Sequence, residues 1–325
     1  MLYMGRVRCI MNRVLENERL KVTVSDAGAE LVSVWDKERG VERIWRGDSA
    51  VWGRHAPILF PFVGKVAGGK YGYRGSEYKM TSHGFARDRE FELVDADERS
   101  VMHVLRWNEE SLKIYPFRFA LYVKHSFDEG NPCRIKIEWK VVNEEGIENQ
   151  GNIGNQGNTE NTDNIGRTML YGIGGHPAFK YPKGVSATDC SLRIGGSGLG
   201  KALEYHLLDA EGCIDMSESY KLELDGRRAA ITEHMFDKDA LIVLGQQIEC
   251  AELLDETGRA YVSMSCEGFP YFGIWSKKVD EFVCLEPWYG IADAAGHDGD
   301  IEKKMGMQKL DAGESRGYAY TVEFN

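Results

Sequence analysis

The chain has 325 residues, of which 42% are hydrophobic, 28% charged and 11% aromatic, and its formal net charge at pH 7 is -11. This length suits one large β domain or two smaller domains, each with a sizeable core. The acidic balance argues against a nucleic-acid or anionic-membrane partner, and no stretch approaches the roughly 20 apolar residues of a membrane-spanning helix.

The first residues and the cysteines indicate a cytoplasmic protein. The N-terminus carries arginines but no continuous apolar region, so no signal peptide is predicted. Residues 1–13 are predicted to be a flexible extension, because the periodic pattern of apolar side chains begins only near Arg19. The 7 cysteines form an odd number and are scattered without a CxxC pair, which is typical of reduced thiols in the cytoplasm.

Alternation of apolar and polar side chains predicts many short β-strands, and helical periodicity is scarce. In chain order, the clearest candidate strands are 20–24, 78–80, 135–141, 222–224 and 318–322. Turn signals such as Asp26-Ala27-Gly28 and Arg74-Gly75-Ser76 separate such strands. The pattern predicts an all-β protein in which residues 14–325 form a single, mostly antiparallel sandwich or barrel.

One segment between two predicted strands has a different composition. Residues 144–166 read EEGIENQGNIGNQGNTENTDNIG and contain almost no large apolar side chains. Such a segment cannot bury enough surface to offset the entropy of ordering it. We predict a mobile surface insertion, whose residues 146–165 are removable at little cost in stability.

Three regions carry residues suited to chemistry. The first combines RHAPILFPFVGK (54–65) with TSHGFARDREF (81–91), the second is YGIGGHPAFKYP (171–182), and the third is EFVCLEPWYGIAD (281–293). In the second, two glycines and a proline present His176 on a rigid turn. In the third, Glu286 follows the apolar run Phe282–Leu285, and burial of a carboxylate there requires either partners or a function. The alternative for Glu286 is a salt bridge to Arg54 or Arg87.

The remaining candidates are weaker. Metal binding is not predicted, since no HxH, HExxH or clustered Cys/His spacing appears. No phosphate-binding or nucleophile-elbow motif is present either. No role is assigned to the other histidines, which are His55, His103, His125, His206, His234 and His297.

A histidine, a positioned glutamate, arginines and several aromatic residues suit a carbohydrate ligand. Planar side chains can stack on sugar faces, and charged groups can bind hydroxyls. A Glu/His pair also supplies a general base and a general acid. Glycosidases more commonly use two carboxylates, and Asp239 or Asp293 could supply the second, so hydrolysis stays open.

The motifs resemble those of the aldose 1-epimerase (galactose mutarotase) superfamily. The matching segments are Pro57–Pro61, His83–Arg87, Gly174–Phe179 and Cys284–Asp293, and the likeness extends from about Val14 to the C-terminus. Their order and spacing agree with the bacterial branch that carries HGFAR, GGHPAF and EPW motifs. The resemblance implies a β-supersandwich of large antiparallel sheets and a cofactor-independent interconversion of the α- and β-anomers of an aldose.

The resemblance also implies roles for individual residues. His176 would be the general acid and Glu286 the general base. Their side chains are expected several ångströms apart with a pyranose ring between them, and His176 is expected to be protonated at rest. The implied sugar-binding residues are His83, Arg87, Arg54 and Asp239.

Two alternatives remain at this stage. One is a sugar-binding or sugar-sensing protein without turnover. The other is a hexose-6-phosphate 1-epimerase, for which Arg54, Lys65 and Arg87 would have to converge. In every case the expected partner is a small-molecule sugar, and the chain is expected to act as a monomer or homodimer.

Overall fold

The structure, a computed structural model, describes residues 11–146 and 166–325. The predicted flexible extension at 1–13 and the predicted insertion at 144–166 therefore lie largely outside the described residues. At the edges of the described ranges, the first strand begins at Asn12, and Glu144 accepts hydrogen bonds from Arg106 and Trp107.

Short strands are the main regular structure of the described chain, as the period-2 pattern predicts. The strands are β1 (Asn12–Glu16), β2 (Leu20–Ser25), β3 (Leu31–Asp36), β4 (Val41–Glu42), β5 (Ile58–Leu59), β6 (Lys70–Tyr73), β7 (Ser76–Lys79), β8 (Glu92–Ala96), β9 (Ser100–Arg106), β10 (Phe119–Phe127), β11 (Arg134–Asn143), β12 (Met169–Tyr171), β13 (Ile173–Gly175), β14 (Ala178–Lys180), β15 (Ser191–Gly195), β16 (Ala202–Tyr205), β17 (Tyr220–Glu223), β18 (Arg228–Ala230), β19 (Leu241–Leu244), β20 (Cys250–Leu254), β21 (Ala260–Ser265), β22 (Tyr271–Trp275), β23 (Phe282–Tyr289), β24 (Gln308–Leu310) and β25 (Ser315–Phe324). Within the described residues, helical structure is limited to one turn of α-helix, α1 (Glu109–Leu112), and 3-10 turns at Ala67–Gly69, Ala86–Asp88 and Ala187–Asp189.

The strands of the described residues assemble into three larger sheets and several two-stranded ones. The large sheet has the order β18-β15-β20-β21-β25-β11-β10-β9-β8, and a smaller sheet has the order β1-β2-β3-β4. A third, which we call the site sheet, has the order β19-β22-β23-β13-β5, with β14 also paired to β23. Strand neighbours in all of them run antiparallel. The prediction of an all-β, antiparallel fold is confirmed.

The main core lies between the large sheet and the site sheet. Trp139 on β11 and Tyr320 on β25 face this core, and so do Val283 and Leu285 on β23. Gly175 brings β13 against the large sheet, because a Cβ there would lie 3.0 Å from the Tyr320 hydroxyl. The site sheet therefore packs one face on the core and leaves the other face free to build a cleft.

Strand β23 differs from the sequence interpretation, which ended the apolar strand at Leu285. The strand continues through Glu286 and Pro287 to Tyr289. The Leu285 amide donates to the Pro177 carbonyl at 3.3 Å, so the backbone groups of Leu285 and Pro287 point to the side of β13 and β14. The neighbouring strand is interrupted there between β13 and β14, so Pro287 costs no ladder hydrogen bond.

Candidate functional site

A cleft of about 870 Å³ lies over the free face of the site sheet. This volume falls in the usual range for small-molecule sites. The cleft walls bring together most of the residues predicted from the sequence, which are His83, Arg87, His176, Asp239 and Glu286. The exception is Arg54, which is not part of the walls.

The floor of the cleft is formed by His176 and Glu286. Their side chains are 8% and 2% exposed, and His176 Nε2 lies 3.3 Å from Glu286 Oε2. The expectation of a pyranose ring between the two groups is therefore wrong, since the gap holds no further atom. A ligand in this cleft has to lie over the pair rather than between its two groups.

Strand geometry explains why Glu286 points into the cleft. Successive side chains on a strand alternate between the two faces, so Phe282, Cys284, Glu286 and Trp288 share one face of β23. His176 reaches the same face because β13 ends at Gly175 and the His176 amide donates to the Pro57 carbonyl at 3.1 Å. The turn between β13 and β14 thus places the imidazole beside the carboxylate.

Burial shifts the acidities of this pair in opposite directions. Burial, followed by the nearby Arg87 cation, lowers the pKa of His176 to about 3. Burial, followed by the charge of Asp239, raises the pKa of Glu286 well above its usual range. The expectation of a protonated His176 at rest is therefore not supported, because burial favours the neutral imidazole and the protonated carboxyl group.

Tryptophans enclose the imidazole. The Trp52 ring stacks on His176 with centroids 4.8 Å apart and an interplanar angle of 27°, and Trp275 meets it edge-on at 5.4 Å. His83 approaches from a further side, at 5.7 Å. Aromatic walls were anticipated as a residue type, but none of the individual tryptophans was assigned.

Trp288 covers the site sheet beside Glu286. A Cβ on Gly174 would lie 2.5 Å from the indole, and one on Gly273 would lie 2.3 Å from it. Side chains on these neighbouring strands would therefore displace Trp288 from the cleft wall. Its position two residues after Glu286 on a strand is the sequence signal that could have assigned it to the site.

His83 has a defined tautomer. The Gly64 amide donates to His83 Nδ1 at 3.2 Å, which leaves the ring proton on Nε2. Burial, followed by the neighbouring His176 and the Arg87 and Arg54 cations, holds the pKa of His83 well below its usual value. His83 is therefore a neutral imidazole at the cleft wall with one N–H to donate.

The two predicted arginines have different surroundings. Arg87 lines the cleft and donates to the Ser82 carbonyl at 2.7 Å, and burial together with Arg54 lowers its pKa to about 10. Arg54 donates to Asp88 at 2.6 Å and to the Arg87 carbonyl at 3.3 Å. Arg54 is thus held by Asp88 and by the Arg87 backbone, and it is not part of the cleft walls.

The rim of the cleft carries both signs of charge. Asp239 is exposed there, with a left-handed φ of 74° and its Oδ1 accepting from the Ala240 amide at 2.8 Å. Lys65 and Lys277 line the same cleft and, among the described residues, have no ion-pair partner. The acidic and basic groups missed by the sequence interpretation at this rim are Asp209, Asp237, Lys238 and Lys277.

Asp293, the other candidate for a second catalytic carboxylate, is held in place by structural contacts. Its side chain is 1% exposed and accepts from Lys304 at 2.6 Å and from the Ala67 amide at 2.8 Å. Its backbone bonds to Lys65 and Ile214, so it ties together two loops beside the cleft. Only Asp239, of the two carboxylates considered, shares the cleft with Glu286.

Lys304→Met is expected to destabilise the fold by about 3–5 kcal/mol, because it leaves the buried Asp293 charge without its partner. The measurement is the free energy of unfolding in urea. Lys303→Met is the matched control, since this neighbouring lysine is 65% exposed and pairs only with surface aspartates. Equal effects of the two substitutions would contradict this account of the buried pair.

The cleft floor also contains a set of potential metal ligands. The donor atoms of His176, Cys284 and Glu286 all lie within 4.8 Å of one another, and all three residues are buried. Cys284 and Glu286 are brought together by the strand repeat, whereas His176 comes from the distant turn after β13.

A further concavity, of about 820 Å³, lies on the large sheet. Its polar lining comes from Tyr122, Lys124, Glu138 and Lys140. None of its lining residues is a histidine, and the acid–base candidates predicted from the sequence line the cleft over the site sheet instead. In the described part of the chain, no helix is both long and apolar enough to cross a membrane.

Comparisons with known proteins agree with this architecture. The family model described as aldose 1-epimerase matches residues 12–156. The chain is 30% identical to the galactose mutarotase related enzyme from Lactobacillus acidophilus, with a TM-score of 0.84 and 97% of each chain covered. It is 28% identical to a galactose mutarotase-like protein from Lactobacillus casei, with a TM-score of 0.83, covering 97% of this chain and 100% of that one. Protein LacX of Lactococcus lactis is 29% identical over 309 residues, which cover 91% of this chain and 93% of LacX.

Proposed function

The chain belongs to the aldose 1-epimerase (galactose mutarotase) superfamily, and from this premise we propose that it interconverts the α- and β-anomers of an aldohexose. The observation that carries the proposal is the buried His176–Glu286 pair on the floor of a cleft of suitable size. The substrate proposed is a small free sugar, and the reaction proposed needs no cofactor.

Anomer exchange requires two proton transfers at one carbon. The anomeric hydroxyl has to lose a proton and the ring oxygen has to gain one, so that the ring opens to an aldehyde. Both oxygens are attached to C1, and two catalytic atoms 3.3 Å apart can reach both from one side of the sugar. Rotation about C1–C2 and the reverse transfers then close the ring with the opposite configuration.

We assign Glu286 as the base and His176 as the acid. The two side chains together hold one proton. Burial favours the form in which this proton is on Glu286, and moving it to His176 gives the form with ionised Glu286 and protonated His176. In the reactive form, Glu286 accepts the proton of the anomeric hydroxyl while His176 donates to the ring oxygen. Each such transfer is typically worth ~10²–10⁴-fold in rate.

The surrounding residues would bind and orient the sugar. His83 would donate from Nε2 to a sugar oxygen that gains negative charge as the ring opens. Arg87 and Asp239 would bind hydroxyls from opposite walls, and the tryptophans would exclude water from the pair. Arg54 stays a proposed ligand with a second role, since its bond to the Arg87 carbonyl helps to position that residue.

The pH dependence of kcat/KM should show a broad plateau. Burial lowers the pKa of His176 to about 3 and raises that of Glu286, so the pair keeps its single proton between these limits. A second proton binds only at a pH below the pKa of His176. The shared proton is lost only at a pH above the pKa of Glu286. We therefore expect no loss of activity centred near the ordinary histidine pKa of about 6.5. A fall of kcat/KM with that midpoint would contradict the shared-proton assignment.

A second candidate substrate is a phosphorylated aldose, favoured by Lys65 and Lys277 at the rim, for which the described residues offer no ion-pair partner. Against it, Arg54 is neutralised by Asp88. An ion pair between an exposed rim lysine and a phosphate group would also contribute only ~0–1 kcal/mol. The expected result is that kcat/KM for glucose or galactose at least equals that for glucose 6-phosphate, measured by NMR with freshly dissolved α-anomers.

The same experiment separates the remaining alternatives. If kcat/KM is at least tenfold higher for glucose 6-phosphate, and this preference is lost in Lys65→Gln or Lys277→Gln, the substrate is a phosphorylated aldose instead. Sugar binding without acceleration of anomer exchange for any sugar of the panel would identify a carbohydrate-binding or sugar-sensing protein.

A further inference from the structure

Cys284 is a buried nucleophile that the proposed reaction does not use. It is fully buried, and it lies two residues before Glu286 on β23, on the face that meets His176. The residues packed around it include Trp45, Ala178 and Phe282, which are apolar. None of these neighbours requires a thiol at this position.

The residues beside Cys284 carry two unsatisfied atoms. Glu286 Oε2 and His176 Nδ1 are buried and make no hydrogen bond in the described part of the chain, although Oε2 lies 3.3 Å from the other ring nitrogen, His176 Nε2. Their residues are 1% and 6% exposed, so water does not replace the missing partners freely. Buried polar atoms without partners commonly mark a site for a ligand or ion.

The donor set matches the preference of zinc. Imidazole nitrogen, thiolate sulfur and carboxylate oxygen bind Zn²⁺ at about 2.0–2.3 Å, and tetrahedral geometry then places ligand atoms roughly 3.3–3.8 Å apart. The His176–Glu286 contact of 3.3 Å already meets this requirement. The sulfur is within 4.8 Å of both partners, so side-chain adjustments of about an ångström would complete the set.

We propose that His176, Cys284 and Glu286 form a three-ligand site for Zn²⁺ or a similar thiophilic divalent cation, and that its occupation blocks the acid–base pair. The cation enters from the cleft, which His176 and Glu286 line. On binding, the Cys284 thiol loses its proton to solvent, and Glu286 loses its own proton if it carries one. The lone pairs needed for proton transfer are then held by the metal, and the fourth position faces the cleft.

The inhibition, but not the binding, rests on the proposed anomer exchange. Binding is therefore tested first, on the full chain without an affinity tag and after removal of metals with EDTA. Calorimetric titration with Zn²⁺ should give one site, and Co²⁺ should give the absorption band of a cobalt–thiolate bond. In Cys284→Ala the band should disappear and the affinity for Zn²⁺ should fall by about 10-fold to 100-fold or more.

Two further variants make the test specific. Cys250→Ala removes an exposed thiol and should leave both the band and the affinity unchanged. Cys284→Ser keeps the side-chain volume, so it replaces the alanine variant if that one does not fold. Equal Zn²⁺ affinity with and without the Cys284 thiol, or the absence of a cobalt–thiolate band in the unmodified chain, would overturn the site.

Activity tests the second half of the inference. In anomer-exchange assays, Zn²⁺ should inhibit the unmodified chain, and the Cys284→Ala variant should require at least 10-fold more Zn²⁺ for the same fractional inhibition, each measured relative to the variant's own rate without metal. Acceleration by Zn²⁺ would overturn the blocking role. If no sugar is turned over at all, the proposed function fails, while the binding experiments still decide the site.

Discussion

Glu286→Gln is expected to lower kcat for anomer exchange by about 10²-fold or more, with sugar affinity changed by no more than a few-fold. Glutamine keeps the shape of the side chain but cannot accept the proton of the anomeric hydroxyl. Glu286 Oε2 makes no hydrogen bond among the described residues, so the amide breaks none at that atom. The rate is measured by polarimetry and the affinity by calorimetry.

A surface glutamate provides the matched control for this substitution. Glu267 is exposed and lies outside the cleft walls, so Glu267→Gln removes the same charge and should leave kcat unchanged. Anomer exchange at a near-normal rate by Glu286→Gln would refute its role as the base. Glu286 would then be a buried carboxylate held only by its contact with His176.

His176→Gln is expected to reduce kcat by a similar factor, about 10²-fold. Glutamine cannot deliver a proton to the ring oxygen, and it also loses the stacking of the imidazole on Trp52 at 4.8 Å. The reduction of kcat therefore includes a contribution from the weakened cleft wall. Thermal unfolding and sugar affinity, measured on the same variant, separate that structural part from the loss of the acid.

The double variant gives the sharper result. Residues that act as one unit show non-additive effects, so Glu286→Gln combined with His176→Gln should be little slower than either single variant. His297→Gln is the control, since His297 contacts only Asp298 among the charged groups described and lies outside the cleft walls. Fully multiplicative losses in the double variant would show that the two groups do not share a proton.

Local patterns in the sequence were sufficient for the fold class. Strands such as β11 and β25 alternate apolar and polar side chains because one face of each is buried in the core. The Arg74-Gly75 turn predicted between β6 and β7 is confirmed, with φ values of 48° and 79° that suit a tight hairpin. Boundaries were less accurate, as the extension of β23 through Pro287 shows, because a proline can remain in a strand where no ladder hydrogen bond is lost, and the sequence does not show where that is.

The candidate site was only partly accessible from sequence. Glycine and proline around His176, and the apolar run before Glu286, identified two chain positions with unusual constraints. Their distance and protonation were not accessible, because both depend on how much water each side chain loses when the sheets pack. The sequence interpretation accordingly expected a wide gap and a protonated imidazole, whereas the structure has a 3.3 Å contact and a histidine pKa lowered to about 3.

The sequence by itself therefore determined the antiparallel β architecture, the superfamily resemblance and the five predicted site residues that line the cleft, because these follow from local periodicity and from short motifs. Only the tertiary structure decided that Arg54 binds Asp88 rather than lining the cleft, that Asp293 is a buried partner of Lys304, and that Cys284 faces His176. The physical reason is that tertiary packing brings together side chains from separate stretches of the chain, such as His176 with Glu286 and Arg54 with Asp88, and that burial then sets their charge. Neither the pairing nor the loss of water is encoded in any single stretch of the chain.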